Sequence, residues 1–249
     1  MPVRIDQQGP VVVLTLDRPE KRNAFDGALT TALDAALNAF EDDPALQVAV
    51  LTGGTKFFSA GTDVVAWAGE PTPRGGPYGI AGRRLQKPII AAVEGIAAGG
   101  GFEIALSTSM IVAARTASFS LPEVGLGLIA ECGGLFRGPR ALPINIAREL
   151  LLTGAPLGAE RAHALGLVNR LTEPGQALPE ALALARQIAE RAPLAVRETL
   201  TALEELNADN DERGWAVTQR AKTAARESAD AKEGVAAFKE RRVPRWQVR

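Results

Sequence analysis

The sequence predicts an α/β fold in which buried strands alternate with helices, followed by a mostly helical C-terminal region. Short apolar runs recur in the first half of the chain, at residues 11–16, 48–51 and 89–93. Apolar residues at helical spacing lie between the first two runs, at 27–40, and a helical pattern extends over about 178–241. Strands separated by helices favour a sheet with strands buried on both faces.

Local signals support each predicted element in turn. The first strand ends at the turn residues 17–20, as a strand followed by polar residues and proline should. A helix is predicted from Gly27 to Phe40, because apolar residues recur there at the spacing of one helical face. The second strand runs into Gly53, and the third begins after Pro88 and ends before Gly95. The apolar positions of the helix are Leu29, Leu33, Ala36, Leu37 and Phe40.

Two further segments complete the prediction. Residues 69–82 are rich in proline and glycine, which predicts a loop that covers another part of the molecule or is mobile. Pro193 marks the start of a helix in the C-terminal region. We therefore divide the chain into a core at 1–191, which holds the candidate site, and a helical region at 192–249.

Composition narrows the class of protein. The chain has 249 residues, with 28 Lys+Arg against 29 Asp+Glu, so its net charge is −1. That balance argues against a general binder of nucleic acid or of membrane surfaces. With Cys132 and His163 as the single cysteine and histidine, we expect neither an intrachain disulfide nor a zinc site built from such ligands. The start has no secretory pattern and no apolar run is long enough to span a bilayer, so a cytoplasmic location is expected.

The segment 95–106 carries the first candidate for chemistry. Three consecutive glycines, Gly99 to Gly101, are unfavourable at a helix start unless the backbone must approach another group closely. Unpaired N–H groups at a helix N-terminus suit a developing oxyanion, and Glu103 lies one turn beyond Gly100. The alternative is a close-packed helix with Glu103 on its exposed side. A buried Glu103 would cost several kcal/mol unless it is paired or protonated.

Two other segments are weaker signals. Residues 57–64 follow the second predicted strand and end in a turn of small residues. On their own they predict the start of a helix that is capped by Thr62 or Asp63. Residues 119–128 place Glu123 in a tight turn after Pro122, where a glutamate is usually solvated.

Two common enzyme motifs are excluded. Residues 125–130 imitate the dinucleotide-binding glycine pattern, but a strand should come directly before it and Pro122-Glu123 stands there instead. The chain has no G-x-S-x-G motif, and a serine-hydrolase triad would have to recruit His163, which is predicted to pack at a helix end.

Taken together, these segments resemble the enoyl-CoA hydratase/isomerase (crotonase) family over essentially the whole chain. Each match is short, but six of them follow in the order that the family has. They are Arg18-Pro-Glu-Lys-Arg-Asn-Ala-Phe25, Phe58-Ser-Ala-Gly-Thr-Asp63, Gly95-Ile-Ala-Ala-Gly-Gly-Gly-Phe-Glu103, Phe119-Ser-Leu-Pro-Glu123, residues 154–169 and Phe238-Lys-Glu-Arg241.

The resemblance implies a crotonase (ClpP-like) fold of repeated ββα units, whose helical C-terminal region builds a trimer or a hexamer made of two trimers. It implies an acyl-CoA thioester substrate, no separate cofactor and no metal. The backbone N–H groups of Thr62 and Gly100 would bind the thioester oxygen. It implies substrate or coenzyme A contacts at Lys21, Arg22, Ala24, Ser59, Ala60, Gly61, Asp63, Val64 and Pro122, and contacts to the adenine nucleotide from a neighbouring subunit at Phe238 and Arg241.

The two glutamates then gain a shared role. Members of the family that act as hydratases carry both, and here Glu103 and Glu123 are separated by 123 − 103 = 20 positions. Adding water across a C2=C3 bond needs one group to deprotonate the water and one to protonate C2. Two carboxyl groups kept in different protonation states can divide those tasks.

The sequence departs from the family pattern at two places. Val65 and Trp67 stand where hydratases often have a lysine on the coenzyme A side, so phosphate contacts fall to Lys21, Arg22 or Arg241. Residues 129–134, with Glu131, replace the usual proline- and alanine-containing turn, and this resembles the carnitinyl-CoA dehydratase branch of the family. For Glu131 we hold two hypotheses: it favours a following helix N-terminus, or it faces the acyl end of the site and selects a polar or cationic acyl group.

Three functions are consistent with these observations. The first is hydration or dehydration of 2-enoyl-CoA and 3-hydroxyacyl-CoA thioesters. The second is a double-bond isomerase of the same fold, which could work with one glutamate. The third is a non-catalytic acyl-CoA or RNA-binding relative, against which the two glutamates and the near-neutral charge argue.

Overall fold

The computed structural model describes residues 2–247 and has two sheets, a layer of helices and a helical C-terminal region. The larger sheet has six strands in the order β1-β2-β3-β4-β6-β9. The smaller sheet has three strands in the order β5-β7-β8. The strands are β1 (Val3–Gln8), β2 (Val11–Leu16), β3 (Val48–Thr52), β4 (Ile89–Val93), β5 (Ile96–Ala98), β6 (Met110–Ala114), β7 (Ser118–Ser120), β8 (Leu157–Gly158) and β9 (Arg170–Thr172).

Helices connect these strands and form the C-terminal region. The longest helix has 34 residues. The helices are α1 (Gly27–Asp42), α2 (Gly100–Leu106), α3 (Gly134–Ala141), α4 (Ile144–Thr153), α5 (Ala159–Ala164), α6 (Ala177–Ala189), α7 (Pro193–Arg226) and α8 (Ala229–Glu240). Short 3₁₀ turns occur at Pro19–Lys21, Pro77–Gly79 and Pro122–Leu126.

The predicted α/β architecture is confirmed. Strands β3 and β4 are completely buried and pair in parallel with their neighbours, as their continuous apolar sequences indicate. The predicted helix after the first strand is α1, which begins at an Asp26 N-cap whose side chain accepts a hydrogen bond from the Leu29 N–H. Pro193 begins a helix as expected.

The small sheet is what positions the candidate site. In the sequence, β4, β5 and α2 follow one another as one ββα unit, and β6 and β7 begin the next. Strands β5 and β7 pair in parallel, with Ala98 opposite Ser120. The Gly99 N–H donates to the Ser120 carbonyl oxygen at 2.8 Å and continues that pairing by one step. The start of α2 therefore lies beside the chain that leads to Glu123.

The proline- and glycine-rich segment at 69–82 is mostly exposed at residues 69–74, and its second half packs against the core. Tyr78 and Gly79 are buried. The buried Arg83 fastens the end of this segment to α1, donating to Asp34 at 2.8 Å and to Glu41 at 2.5 Å. Opposite charges that are buried together must be well bonded to persist, so this ion pair fixes the covering segment against the core.

Candidate active site

A cavity of about 400 Å³ lies where the two ββα units meet, and it brings together most of the residues that the sequence singled out. Of the predicted site residues, it is lined by Lys21, Ala24, Ala60, Thr62, Asp63, Val64, Gly100, Glu103, Pro122, Glu123, Glu131 and Phe238. Residues that are far apart in the sequence therefore share one surface.

Glu103 lies in the first turn of α2 and is only 1% exposed, which rules out the alternative in which it faces solvent. Its Oε1 accepts hydrogen bonds from the N–H groups of Cys132, at 2.7 Å, and Gly134, at 2.9 Å. Gly134 is the first residue of α3, so the carboxylate lies at a helix N-terminus, where unpaired N–H groups favour negative charge.

Glu123 has different surroundings, although it faces the same cavity. It lies in the 3₁₀ turn Pro122–Leu126 rather than on a solvated loop. Its Oε2 is buried and has no hydrogen-bond partner within residues 2–247. A Cβ placed on Gly99 would come within 3.0 Å of the Glu123 Oε1, so this carboxyl group reaches to the start of α2. A buried polar oxygen without a partner is rare, and this one belongs to a side chain that lines the cavity.

Burial raises the pKa of both carboxyl groups. Loss of hydration raises the pKa of Glu103 to about 7, against the two N–H hydrogen bonds, which lower it. Loss of hydration, followed by the nearby Glu103 carboxylate, raises the pKa of Glu123 to about 8. Near neutral pH the two carboxyl groups therefore carry about one proton between them. That proton resides mainly on Glu123, because Glu103 has the two N–H donors that stabilise an anion.

These raised pKa values predict how stability depends on pH. Between about pH 4.5 and about pH 8 the folded protein binds more protons at this pair than the unfolded chain does. The free energy of unfolding that the pair contributes is therefore largest below pH 4.5 and is lost as pH rises through that range. Glu123→Gln removes one titrating group, so we expect its free energy of unfolding to fall less as pH rises. The measurement is Tm, which should fall less between about pH 5 and about pH 9 than in the unmodified protein.

The matched control for this measurement is Glu205→Gln, which changes an exposed glutamate of α7. It should show the same fall in Tm with pH as the unmodified protein. If Glu123→Gln also behaved like the unmodified protein, the raised pKa of Glu123 would be wrong.

Thr62 and Gly100 line the same cavity. The turn at Gly61 and the start of α2 meet backbone to backbone: a Cβ on Gly61 would lie 2.6 Å from the Ala98 carbonyl oxygen and 3.0 Å from the Gly100 nitrogen. Within residues 2–247 the hydrogen bonds of these turns leave the N–H groups of Thr62 and Gly100 without an acceptor. Two neighbouring unpaired donors are an arrangement that can bind an oxyanion.

Tyr78 is a site residue that sequence reasoning missed. Its hydroxyl lies 2.7 Å from the Thr62 Oγ1, and a Cβ on Gly100 would come within 2.3 Å of the Tyr78 hydroxyl oxygen. Burial raises the pKa of the Tyr78 hydroxyl well above its usual range, so it stays protonated and can act as a donor. The available signal was that Tyr78 is the chain's only tyrosine and lies in the covering segment.

Asp63 stabilises the turn that carries the Thr62 N–H. Its carboxylate accepts hydrogen bonds from the N–H groups of Ala66 and Val65, and from Arg18 at 2.9 Å. These contacts, the backbone ones first, lower the pKa of Asp63 to about 2. The segment is an irregular turn, so the prediction that Thr62 or Asp63 caps a helix here is wrong. Asp63 instead closes a turn of its own backbone.

Four predicted contact residues do not line the cavity. Ser59 is completely buried, and its hydroxyl donates to the Asn23 carbonyl oxygen and accepts from the Gly61 N–H. The Gly61 carbonyl oxygen accepts from the Phe25 N–H. Ser59 and Gly61 therefore stabilise the turn before Thr62 through hydrogen bonds on the side away from the cavity. Arg22 and Arg241 are exposed residues outside the cavity wall, each with a positive φ.

Phe238 and Glu131 lie in the cavity wall with contacts that the sequence did not foresee. Phe238, which the resemblance gave to a neighbouring subunit, lines the cavity of its own chain. Glu131 binds Arg226 of α7 through both carboxylate oxygens, and Lys222 lies 3.6 Å away. Glu103, and not Glu131, accepts the N–H hydrogen bonds at the start of α3, and the hypothesis that Glu131 favours that helix N-terminus stays a prediction.

The described residues 2–247 contain no group of three or more His, Cys, Asp or Glu side chains that could hold a metal ion. In the same part of the chain, no helix is both long and apolar enough to cross a membrane.

Comparison with known proteins gives a consistent result. Residues 6–249 match a family model described as enoyl-CoA hydratase/isomerase. A carnitinyl-CoA dehydratase of Salmonella arizonae is 42% identical over 256 residues, which cover 98% of this chain and 98% of that protein. A carnitinyl-CoA dehydratase structure from Mycobacterium avium has a TM-score of 0.94 at 41% identity, over 100% of this chain and 99% of that one. An enoyl-CoA hydratase structure from Mycobacterium tuberculosis has a TM-score of 0.81 at 44% identity, over 99% and 98%.

Proposed function

Because this chain belongs to the enoyl-CoA hydratase/isomerase family, we propose that it is a lyase that adds water to 2-enoyl-CoA thioesters and removes it from 3-hydroxyacyl-CoA thioesters. One observation carries the proposal: the buried Glu103 and the half-buried Glu123 line one cavity in different surroundings. The first has two N–H donors and the second has a buried oxygen without a partner. That difference is what acid and base roles in one reaction require.

The reaction assigns a task to each group. In the hydration direction Glu103, as the anion, takes a proton from water, and the water oxygen forms a bond to C3. The π electrons of the C2=C3 bond move toward the thioester, and the charge that develops on its oxygen is bound by the N–H groups of Thr62 and Gly100. Glu123 then gives its proton to C2. Dehydration follows the same steps in reverse.

For coenzyme A we propose binding along the side of the cavity formed by Lys21, Ala24, Ala60 and Val64. Lys21, Arg22 and Arg241 are exposed cations that could reach the phosphate groups.

Thioester chemistry of this kind needs no separate cofactor, since every proton moves between substrate, water and the two glutamates. We keep the cytoplasmic location as part of the proposal; the single cysteine is compatible with it.

The isomerase alternative needs one glutamate to carry a proton between two carbons. Two glutamates with raised pKa values on one cavity favour hydration, because an isomerase would leave the second of them without a role. The deciding experiment incubates the protein with crotonyl-CoA and with a 3-enoyl-CoA. Hydration consumes the absorbance of the conjugated thioester in the first reaction, whereas isomerisation creates it in the second. Creation without consumption would overturn the proposal.

We propose that the region at 192–249 mediates assembly into a trimer or hexamer. Helix α7 has Thr218 as its single buried residue in one chain. It exposes large apolar side chains at Leu194, Leu203, Leu206 and Val217. Exposed apolar residues in such number on one helix favour association. We expect light scattering at micromolar concentration to give the mass of three or six chains, and a monomer would contradict this.

For the acyl end we propose that Glu131 selects a polar or cationic group. Glu131 lines the cavity, and relatives with the carnitinyl-CoA dehydratase name support this. Its carboxylate already binds Arg226, so an acyl cation would have to replace the guanidinium group. We expect Glu131→Gln to lower kcat/KM for a cationic acyl-CoA more than for crotonyl-CoA. An equal effect on both substrates would contradict a selecting role.

A further inference from the structure

Two side chains lie where the reaction cavity meets two neighbouring cavities. Trp67 and Arg226 line the 400 Å³ reaction cavity, and they also line cavities of about 420 Å³ and about 560 Å³. No other described residue borders all three. This pair is therefore the part of the boundary that all three cavities share.

The contact between the two side chains can open. The guanidinium carbon of Arg226 lies 5.6 Å from the centre of the Trp67 ring, and the Arg226 Nε donates to the Glu131 Oε2 at 3.1 Å. Arg226 is exposed at the last turn of α7, and the Trp67 ring is 40% exposed. Ion pairs and cation–π contacts at such exposed positions each contribute on the order of 1 kcal/mol or less.

The backbone of Trp67, by contrast, is fixed. Its φ is +57°, a left-handed conformation that a bulky L-residue adopts only when its surroundings impose it. The Trp67 N–H donates to the Asp63 carbonyl oxygen at 2.8 Å, and Asp63 stabilises the turn that carries the Thr62 N–H. The Trp67 backbone therefore stands at a set distance from the candidate oxyanion site, and only the side chain has to move for the contact with Arg226 to open.

The largest of the three cavities has an apolar wall. Its lining on α8 includes Ala231, Val235 and Ala236, and Leu128 lies between it and the reaction cavity. Lys232, Lys239 and Glu240 provide a charged rim. A hydrocarbon chain that passed this shared boundary would leave water for an apolar surface, at a gain of about 0.8 kcal/mol for each buried methylene group.

We propose that Trp67 and Arg226, with Glu131 as the anchor of Arg226, determine how long an acyl chain this protein accepts. With the contact closed, the acyl group is confined to the reaction cavity and must be short. When the contact opens, an apolar chain reaches the 560 Å³ cavity beside α8. This inference rests on the proposed function, since it concerns the acyl group of the same thioester.

The experiment compares kcat/KM for 2-dodecenoyl-CoA and for crotonyl-CoA. Trp67→Ala removes the ring, and we expect the ratio of the two values to rise at least about tenfold, which two newly buried methylene groups would account for. Trp67→Phe should give a smaller rise because a smaller ring remains there. Arg226→Met, which keeps an unbranched apolar stem but loses the contact with Glu131, should also raise the ratio.

Trp246→Ala is the matched control, since Trp246 is 43% exposed and borders none of the three cavities. Its ratio should equal that of the unmodified protein. An unchanged ratio in Trp67→Ala, or in both Trp67→Phe and Arg226→Met if Trp67→Ala does not fold, would overturn the inference. Failure of the proposed function looks different, because the unmodified protein would then hydrate neither substrate.

Discussion

Glu103→Gln and Glu123→Gln are each expected to lower the turnover of crotonyl-CoA by roughly 10²–10⁴. The glutamine at position 103 keeps an oxygen that can accept the Cys132 and Gly134 N–H groups, so the start of α3 stays bonded while the base is lost. The glutamine at position 123 has the size of the carboxylic acid but no acidic proton to give to C2. Turnover is measured from the loss of the conjugated thioester absorbance.

Circular dichroism and Tm at neutral pH should show that both variants keep the fold. Glu205→Gln, at an exposed position of α7, should leave turnover unchanged. Near-full activity in either site variant would refute its acid–base role. A loss confined to Glu123→Gln would instead favour the isomerase alternative, in which one glutamate suffices.

Gly61→Ala is expected to lower kcat by roughly 10²–10³, the effect of losing one donor of an oxyanion hole. Gly61 has a φ of +90°, and an added Cβ would lie 2.6 Å from the Ala98 carbonyl oxygen and 3.0 Å from the Gly100 nitrogen. These are backbone atoms, so the two turns must move apart. The N–H groups of Thr62 and Gly100 would then no longer bind one oxygen together.

Gly125→Ala provides the comparison for this variant. Gly125 lies in the same 3₁₀ turn as Glu123, and a Cβ there would meet nothing within 4 Å. It should therefore retain activity. The KM for crotonyl-CoA should change less than kcat in Gly61→Ala, because the lost interaction is strongest in the transition state. Full activity in Gly61→Ala would contradict the assignment of the oxyanion site.

Much of the fold could be predicted because the signals are local. The apolar runs that became β2, β3 and β4 and the spacing of α1 are visible in short windows of sequence. Glu103 and Glu123 could be paired only through the order and spacing of family motifs. On its own, Glu123 had the pattern of a solvated turn residue, because nothing local indicates that β5 and β7 pair and bury its carboxyl group.

Other features depend on contacts between distant parts of the chain. Tyr78 reaches Thr62 because Arg83 fastens the covering segment to α1, and no window of sequence contains that ion pair. The contact between Glu131 and Arg226 joins residues 95 positions apart. Ser59 was predicted to contact substrate from its place in a motif, whereas the structure shows that the motif also contains residues that support the turn from behind.

The pairing of β5 with β7 also determines where the chain can tolerate insertions and deletions. Ala98 lies opposite Ser120, and the two glutamates follow these residues, one in each ββα unit. Extra residues in the turn between β6 and β7 would lie outside this paired frame and leave the glutamates in place. A residue lost between Ser120 and Glu123 would draw the acid along the chain by up to about 3.3 Å, the rise of one extended residue. Insertions and deletions between Ser120 and Glu123 should therefore impair activity, whereas those in the turn between β6 and β7 should be tolerated.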